Sequence, residues 1–233
     1  MRRRGDVRAR SRRLARGLVL GATRTRATRT RGRHGRRRPA HRGTTAGLER
    51  YAELVADALA DRDDDVILVG HSLGGATIPL VPRLRPARHL VFLCSLLPRP
   101  GASVDDRFEA EDVFAPGYRG NTAVRDDGAS YWPDPEAATR FLFNRSSAAD
   151  ARWATARLRP QSGAPQREAW PADVVFDLER TSIVCRDDRC IDPGWSRTMS
   201  REQLGVEPIE LDGDHSPFLA RAAELADVLS RLA

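Results

Sequence analysis

Residues 44–233 read as an α/β domain on a mostly parallel, doubly wound sheet, and three observations carry that reading. Apolar, β-branched runs of strand length alternate with amphipathic helical patterns, as βαβ units do. The clearest run, Val66-Ile67-Leu68-Val69, is apolar without alternation, as a strand covered on both faces must be. A glycine-rich turn, Gly70 to Gly75, follows that run directly and leads into a helix. The length of 233 residues suits one large domain better than two small ones.

The chain opens with a different texture. Residues 1–43 hold 17 arginines and one acid, Asp6, a charge of +16, whereas the remainder carries −9. The net +7 therefore describes neither part, and the globular body is acidic. All 39 basic residues are arginine, a bias of composition rather than a functional choice. Repeats such as Thr23-Arg24-Thr25-Arg26 cannot bury enough apolar surface to offset their ordering entropy, so a disordered arm is expected. Within it only residues 17–21 could contribute a strand. Ser11-Arg12-Arg13 before Leu18-Val19-Leu20 faintly resembles a twin-arginine signal, but the apolar stretch is very short and more arginines follow, so no signal peptide is expected. No run approaches the ~20 apolar residues of a membrane-spanning helix, and a membrane partner is not expected.

The elements follow in order. Thr44 or Thr45 offers an N-cap to a helix with Leu48, Tyr51, Leu54, Val55, Ala58 and Leu59 on one face. The acidic loop from Asp61 to Asp65 ends it. After the strand from Val66 to Val69 a helix starts near Leu73, and Pro79 and Pro82 should kink or shorten it. His89 to Leu97 is a second buried strand, stopped by Pro98 and Pro100. From about 101 to 173 the pattern weakens and aromatics scatter through it, which reads as a helical cap over the sheet. Thr181 to Cys185 is a third strand and Val206 to Leu211 a fourth, with a helix from about Pro193 to Leu204 between them. The final helix carries Leu219, Ala222, Leu225, Val228 and Leu232 on one face.

Cys94, Cys185 and Cys190 form neither a disulfide framework nor a zinc pattern. Cys94 lies in an apolar run and reads as a small buried hydrophobe. Cys185 and Cys190 could pair, but free thiols in a reducing cytoplasm fit better. No cofactor or metal pattern appears.

The chemistry lies in Gly70-His71-Ser72-Leu73-Gly74. A serine hydroxyl needs a base to take its proton and a third group to orient that base. The G-x-S-x-G turn holds serine on a tight strand-to-helix bend, where its glycines allow close backbone approach. Ser72 is then the nucleophile, and the N–H of Leu73 faces the developing oxyanion. His215 is the candidate base, because it alone among five histidines occupies a loop past a strand end; His34 and His41 lie in the arm, His71 in the elbow and His89 at a strand start. Asp188, past the third strand, is the favoured acid, with Asp187, Asp212 and Asp214 as competitors.

Together these stretches resemble the α/β-hydrolase fold family, close to plant methylesterases and hydroxynitrile lyases in its actinobacterial branch. The matching segments are Val69 to Gly75, His89 to Gly101, Ile183 to Pro193 and Gly213 to Leu219. The resemblance implies a Ser72-Asp188-His215 triad, with the acid on the aspartate preceding the basic residue. It also separates two chemistries. The lyases carry a lysine after the catalytic histidine; here Ser216 stands there and the chain has no lysine, so ester hydrolysis on a small acyl ester is implied.

The family's N-terminal strands, whose turn supplies the second oxyanion N–H, are apparently missing or scrambled in residues 1–43. Such an arginine-rich stretch is what a misread start or frameshift in a GC-rich gene would yield, and the activity would then be impaired. A third reading gives the arm a role in binding polyanions or nucleic acid by counterion release. Against it, the arm has no aromatic for base stacking and the body is acidic, so no specific nucleic-acid partner is expected.

Overall fold

A computed structural model describes residues 19–21, 46–174 and 176–232. The readings made for the rest of residues 1–43, His34 and His41 included, fall outside the described residues.

In chain order the elements are β1 (Val19–Gly21), α1 (Leu48–Ala58), β2 (Ile67–His71), α2 (Gly74–Thr77), a 3₁₀ turn (Ile78–Arg83) and β3 (His89–Leu93). An inserted segment follows with α3 (Val104–Ala110), β4 (Ala123–Val124), β5 (Ala129–Tyr131), α4 (Pro135–Leu142), α5 (Ala148–Thr155), β6 (Gln161–Ser162) and α6 (Ala164–Arg167). The chain then returns through β7 (Glu179–Cys185), α7 (Pro193–Glu202), β8 (Ile209–Leu211), α8 (Pro217–Ala220) and α9 (Ala222–Ser230).

The main sheet has five strands in the order β1-β2-β3-β7-β8, all parallel. Because side chains alternate across a strand, each strand feeds two cores. Leu68, Leu90 and Phe92 face one side, against Leu48, Ala52 and Trp170. Val69, Val91, Leu93 and Ile183 face the other, against Leu225, Val228 and Leu229 of α9. Each such side chain, fully buried, contributes about 1.5–3 kcal/mol of transfer free energy. Two-sided burial is the physical reason that β2 and β3 read as unbroken apolar runs.

The edge strand β1 is the one that the N-terminal segment offered. Val19 pairs with Leu68 and Gly21 with Gly70, so β2, which carries the elbow, lies between two strands. Local differences from the sequence reading have local causes. The cap of α1 is not a threonine: its N-cap residue is Gly47, and Glu168 Oε2 accepts from the Leu48 amide at 2.6 Å. Pro79 and Pro82 lie in the 3₁₀ turn that cuts α2 to four residues. Strand β3 ends at Leu93, not Leu97, because Cys94 turns the chain with φ +45°. Pro208 brings no N–H to the ladder, and β8 starts one residue later, at Ile209. The last helix is interrupted at Arg221, whose φ of −133° is not helical.

The segment between β3 and β7 carries helices, as expected, together with a small antiparallel sheet in the order β4-β5-β6. Its aromatics are not scattered in space. Phe108, Phe114, Tyr118, Trp132 and Phe141 form a continuous chain of rings with centroids 4.5–6.4 Å apart.

Candidate active site

The sharp bend after β2 depends on two close approaches. A Cβ on Gly70 would lie 2.6 Å from the Gly74 carbonyl oxygen, and one on Gly75 would lie 2.5 Å from Ser95 Cβ. Between them Ser72 adopts φ +52°, a left-handed conformation that costs a non-glycine residue on the order of 1–3 kcal/mol. Neighbouring backbone holds it there. The Ser72 amide donates to Leu93 O at 3.1 Å, and the Ser72 carbonyl accepts from Gly75 N and Leu96 N at 3.0 and 2.9 Å. Ser95 Oγ donates to Gly70 O at 2.7 Å, tying the end of β3 to the base of the bend. The Leu73 amide, an orphan donor at the start of α2, is used by no backbone acceptor among the described residues.

Asp188 and His215 meet across the ends of β7 and β8. Asp188 Oδ2 accepts from His215 Nδ1 at 2.8 Å, with both side chains buried. Asp188 Oδ1 accepts from the amides of Cys190 and Ile191 at 2.7 and 3.0 Å, so the carboxylate is fixed by its own turn. The other aspartates are engaged elsewhere. Asp187 pairs with Arg145 at 3.3 Å and Asp212 with Arg186 at 2.5 Å. Asp214, fully buried, accepts from Arg145 N, Ser146 Oγ and Ser216 N, and so fastens the inserted segment to the loop that carries His215.

Two histidines pack together here, rings tilted by 50°, with opposite proton affinities. Burial disfavours charge on His215, but the Asp188 carboxylate and the nearby Cys190 sulfur outweigh it and push its pKa well above the ordinary value. His71 lies beside it, ring centroids 4.7 Å apart, with its other edge against Phe218. Burial and the adjacent His215 push the His71 pKa down to about 3. His71 Nε2 lies 2.6 Å from the main-chain oxygen of His215, and only a donated Nε2–H satisfies that carbonyl.

Among the described residues Ser72 Oγ makes no side-chain hydrogen bond, and the His215 ring lies instead against the Cys190 thiol, which also meets the Tyr118 hydroxyl. Catalytic hydrogen bonds are often loose without substrate and tighten in the reacting complex. Residue order alone did not expose the contacts that His71 and Cys190 make with His215. The one available signal was position, since each is a neighbour in sequence of a candidate site residue.

All three cysteines are free and buried. Cys94 Sγ, an Asp188 oxygen and a His215 nitrogen lie within 4.8 Å of one another, the one such grouping among the described residues. It is a poor metal site. His215 Nδ1 is already committed to Asp188, and hydrogen bonding to Cys185, burial and the Asp188 charge hold the Cys94 thiol protonated. A groove of about 620 Å³ opens beside residues 186–189, Phe141 and Arg140, but of Ser72, Asp188 and His215 only Asp188 lines it. It is therefore not the pocket of Ser72.

Residues 8–228 match the alpha/beta hydrolase family. The chain belongs to the alpha/beta hydrolase family. That match begins inside the arginine-rich segment and includes β1. A probable esterase, PIR7A, from Oryza sativa subsp. indica is 27% identical over 216 residues, covering 84% of this chain and 81% of the relative. A pyrethroid hydrolase from Sphingobium wenxiniae is 26% identical and covers 80% and 70% of the two chains. The crystal structure of a pyrethroid hydrolase from Sphingobium faniae superposes with a TM-score of 0.72 at 22% identity over 83% of this chain and 81% of that one, a likeness of fold. No helix among the described residues is long and apolar enough to cross a membrane.

Proposed function

We propose that this alpha/beta hydrolase is a serine carboxylesterase acting on a small acyl ester through Ser72, Asp188 and His215. The observation that carries the reading is the buried 2.8 Å Asp188–His215 pair, standing past the same sheet edge as the strained Ser72 bend. Ser72 Oγ attacks the ester carbonyl while His215 Nε2 takes its proton, and Asp188 stabilises the imidazolium through Nδ1–H. The Leu73 amide donates to the oxyanion. Collapse of the tetrahedral intermediate breaks the bond to the alkoxy group, which leaves with the proton from His215. Water, deprotonated by the same histidine, then releases the acid and restores Ser72.

Esterase and methylesterase relatives support this reaction class. Ser216, not lysine, follows His215, which favours hydrolysis over cyanide chemistry. Three buried free thiols suit a reducing compartment. The test is active-site labelling with a fluorophosphonate, alongside hydrolysis of short-chain nitrophenyl esters. Labelling and turnover that both vanish in Ser72→Ala are expected. Turnover that persists in Ser72→Ala refutes the assignment.

A further inference from the structure

The elbow histidine takes no part in the proton transfers above, yet among the described residues it makes the one side-chain hydrogen bond that joins the nucleophile's strand to the loop of the base. His71 closes β2, one residue before Ser72. Its Nε2 lies 2.6 Å from the His215 carbonyl oxygen, and the two residues are 144 apart in sequence. We infer that His71 is a positioning residue, whose Nε2–H holds the main chain of His215 at a set distance from the Ser72 bend. This inference rests on the proposed triad.

Three features make His71 suited to that work. Ser72 is held by Leu93, Gly75 and Leu96 through backbone bonds, so the end of β2 is a rigid anchor. The His215 loop is tied at Gly213 and Asp214, but among the described residues no backbone donor takes the His215 carbonyl itself. That loop runs from the short β8 to the four-residue α8, and the carboxylate partner Asp188 restrains the ring rather than the backbone. The contact is also insensitive to pH over the working range. His71 has one edge against Phe218 and a face near His215, and burial keeps it neutral down to about pH 3, so the single Nε2–H tautomer persists while His215 exchanges its proton. An imidazolium at His71 would stand beside the imidazolium that His215 becomes during the reaction, and the neutral ring avoids that repulsion.

Glutamine and leucine separate this role from simple packing. A glutamine amide reaches about as far as imidazole Nε2 and can donate to the same carbonyl, whereas leucine fills the space without a donor. In the full chain, His71→Leu is expected to lower kcat on a nitrophenyl ester by up to about 10²-fold, with KM little changed, because a displacement near 1 Å has that effect on a reacting pair. His71→Gln should restore most of the loss. A packing role would give the reverse order, leucine tolerated and glutamine not, and that order overturns the inference. So does a His71→Leu enzyme with unaltered kcat. Ring-nitrogen NMR of the wild-type protein supplies a readout independent of turnover. The expected signature is a neutral Nε2–H tautomer of His71 from pH 5 to 8. A protonated ring or the Nδ1–H tautomer sinks this inference while leaving the triad intact, whereas activity surviving in Ser72→Ala removes the triad and this role with it.

Discussion

Gly70→Ala tests whether the bend that carries Ser72 depends on close backbone approach. The new methyl carbon would sit 2.6 Å from Gly74 O, 2.7 Å from Gly74 C and 2.9 Å from Gly75 N. All three are backbone atoms, so no rotamer change relieves the contact. Ordinary van der Waals contact near 3.5 Å requires the turn to open by roughly 0.9 Å relative to β2. Forcing a buried methyl into a closed site costs about 1–3 kcal/mol. For a domain of this size that lowers Tm by about 2–12 °C. The larger effect falls on rate. Ser72 lies two residues on, and a shift approaching 1 Å in a reacting group lowers turnover on the order of 10²-fold. Urea denaturation gives the stability change, and kcat/KM on a nitrophenyl ester gives the rate. A Gly70→Ala protein with wild-type midpoint and wild-type kcat/KM would refute the reasoning, because the turn would have been free to open.

Four further outcomes follow from the geometry. Asp188→Asn should leave the protein folded and reduce kcat by about 10⁴-fold, since an amide stabilises the wrong imidazole tautomer; kcat within tenfold of wild type would point to another acid. The same carboxylate raises the His215 pKa, so the acid limb of the wild-type kcat/KM profile should lie above the ordinary histidine value of ~6.5. Asp214→Ala removes the acceptor for Arg145 N, Ser146 Oγ and Ser216 N and should destabilise the fold by roughly 3 kcal/mol or more, read from the urea midpoint; a change under about 0.5 kcal/mol would show that the inserted segment is fastened by other contacts. Stability should also depend on pH through both of these adjacent histidines. His215, raised, contributes stability present below ~6.5 and lost as pH climbs through its folded value. His71, lowered to about 3, binds its proton more readily when unfolded, so stability falls as pH drops from ~6.5 toward 3. His215→Gln should flatten the alkaline side of the curve and His71→Gln the acid side, and a curve that neither variant alters would refute both assignments.

The sequence by itself determined the alternation of strands and helices, because apolar periodicity is local and two-sided burial leaves a plain mark on Val66 to Val69 and on His89 to Leu93. It also marked the Ser72 bend, where Gly70 and Gly75 are spaced for backbone contact. Residues 17–21 stood out in the arginine-rich segment for the same reason, as its only apolar run, and Val19–Gly21 pairs with β2. The sequence favoured Asp188 over Asp187, Asp212 and Asp214, but the contact of its carboxylate with His215 is a fact of tertiary structure. Asp187 and Asp188 are neighbours on one turn, and opposite directions of their side chains send one to Arg145 and the other to His215. Nor could sequence show that Glu168 caps a helix 120 residues away, or that His71 reaches the carbonyl of His215 across 144. Such contacts join segments whose separation along the chain carries no local signal. They exist only once the parallel sheet has brought its strand ends to one edge.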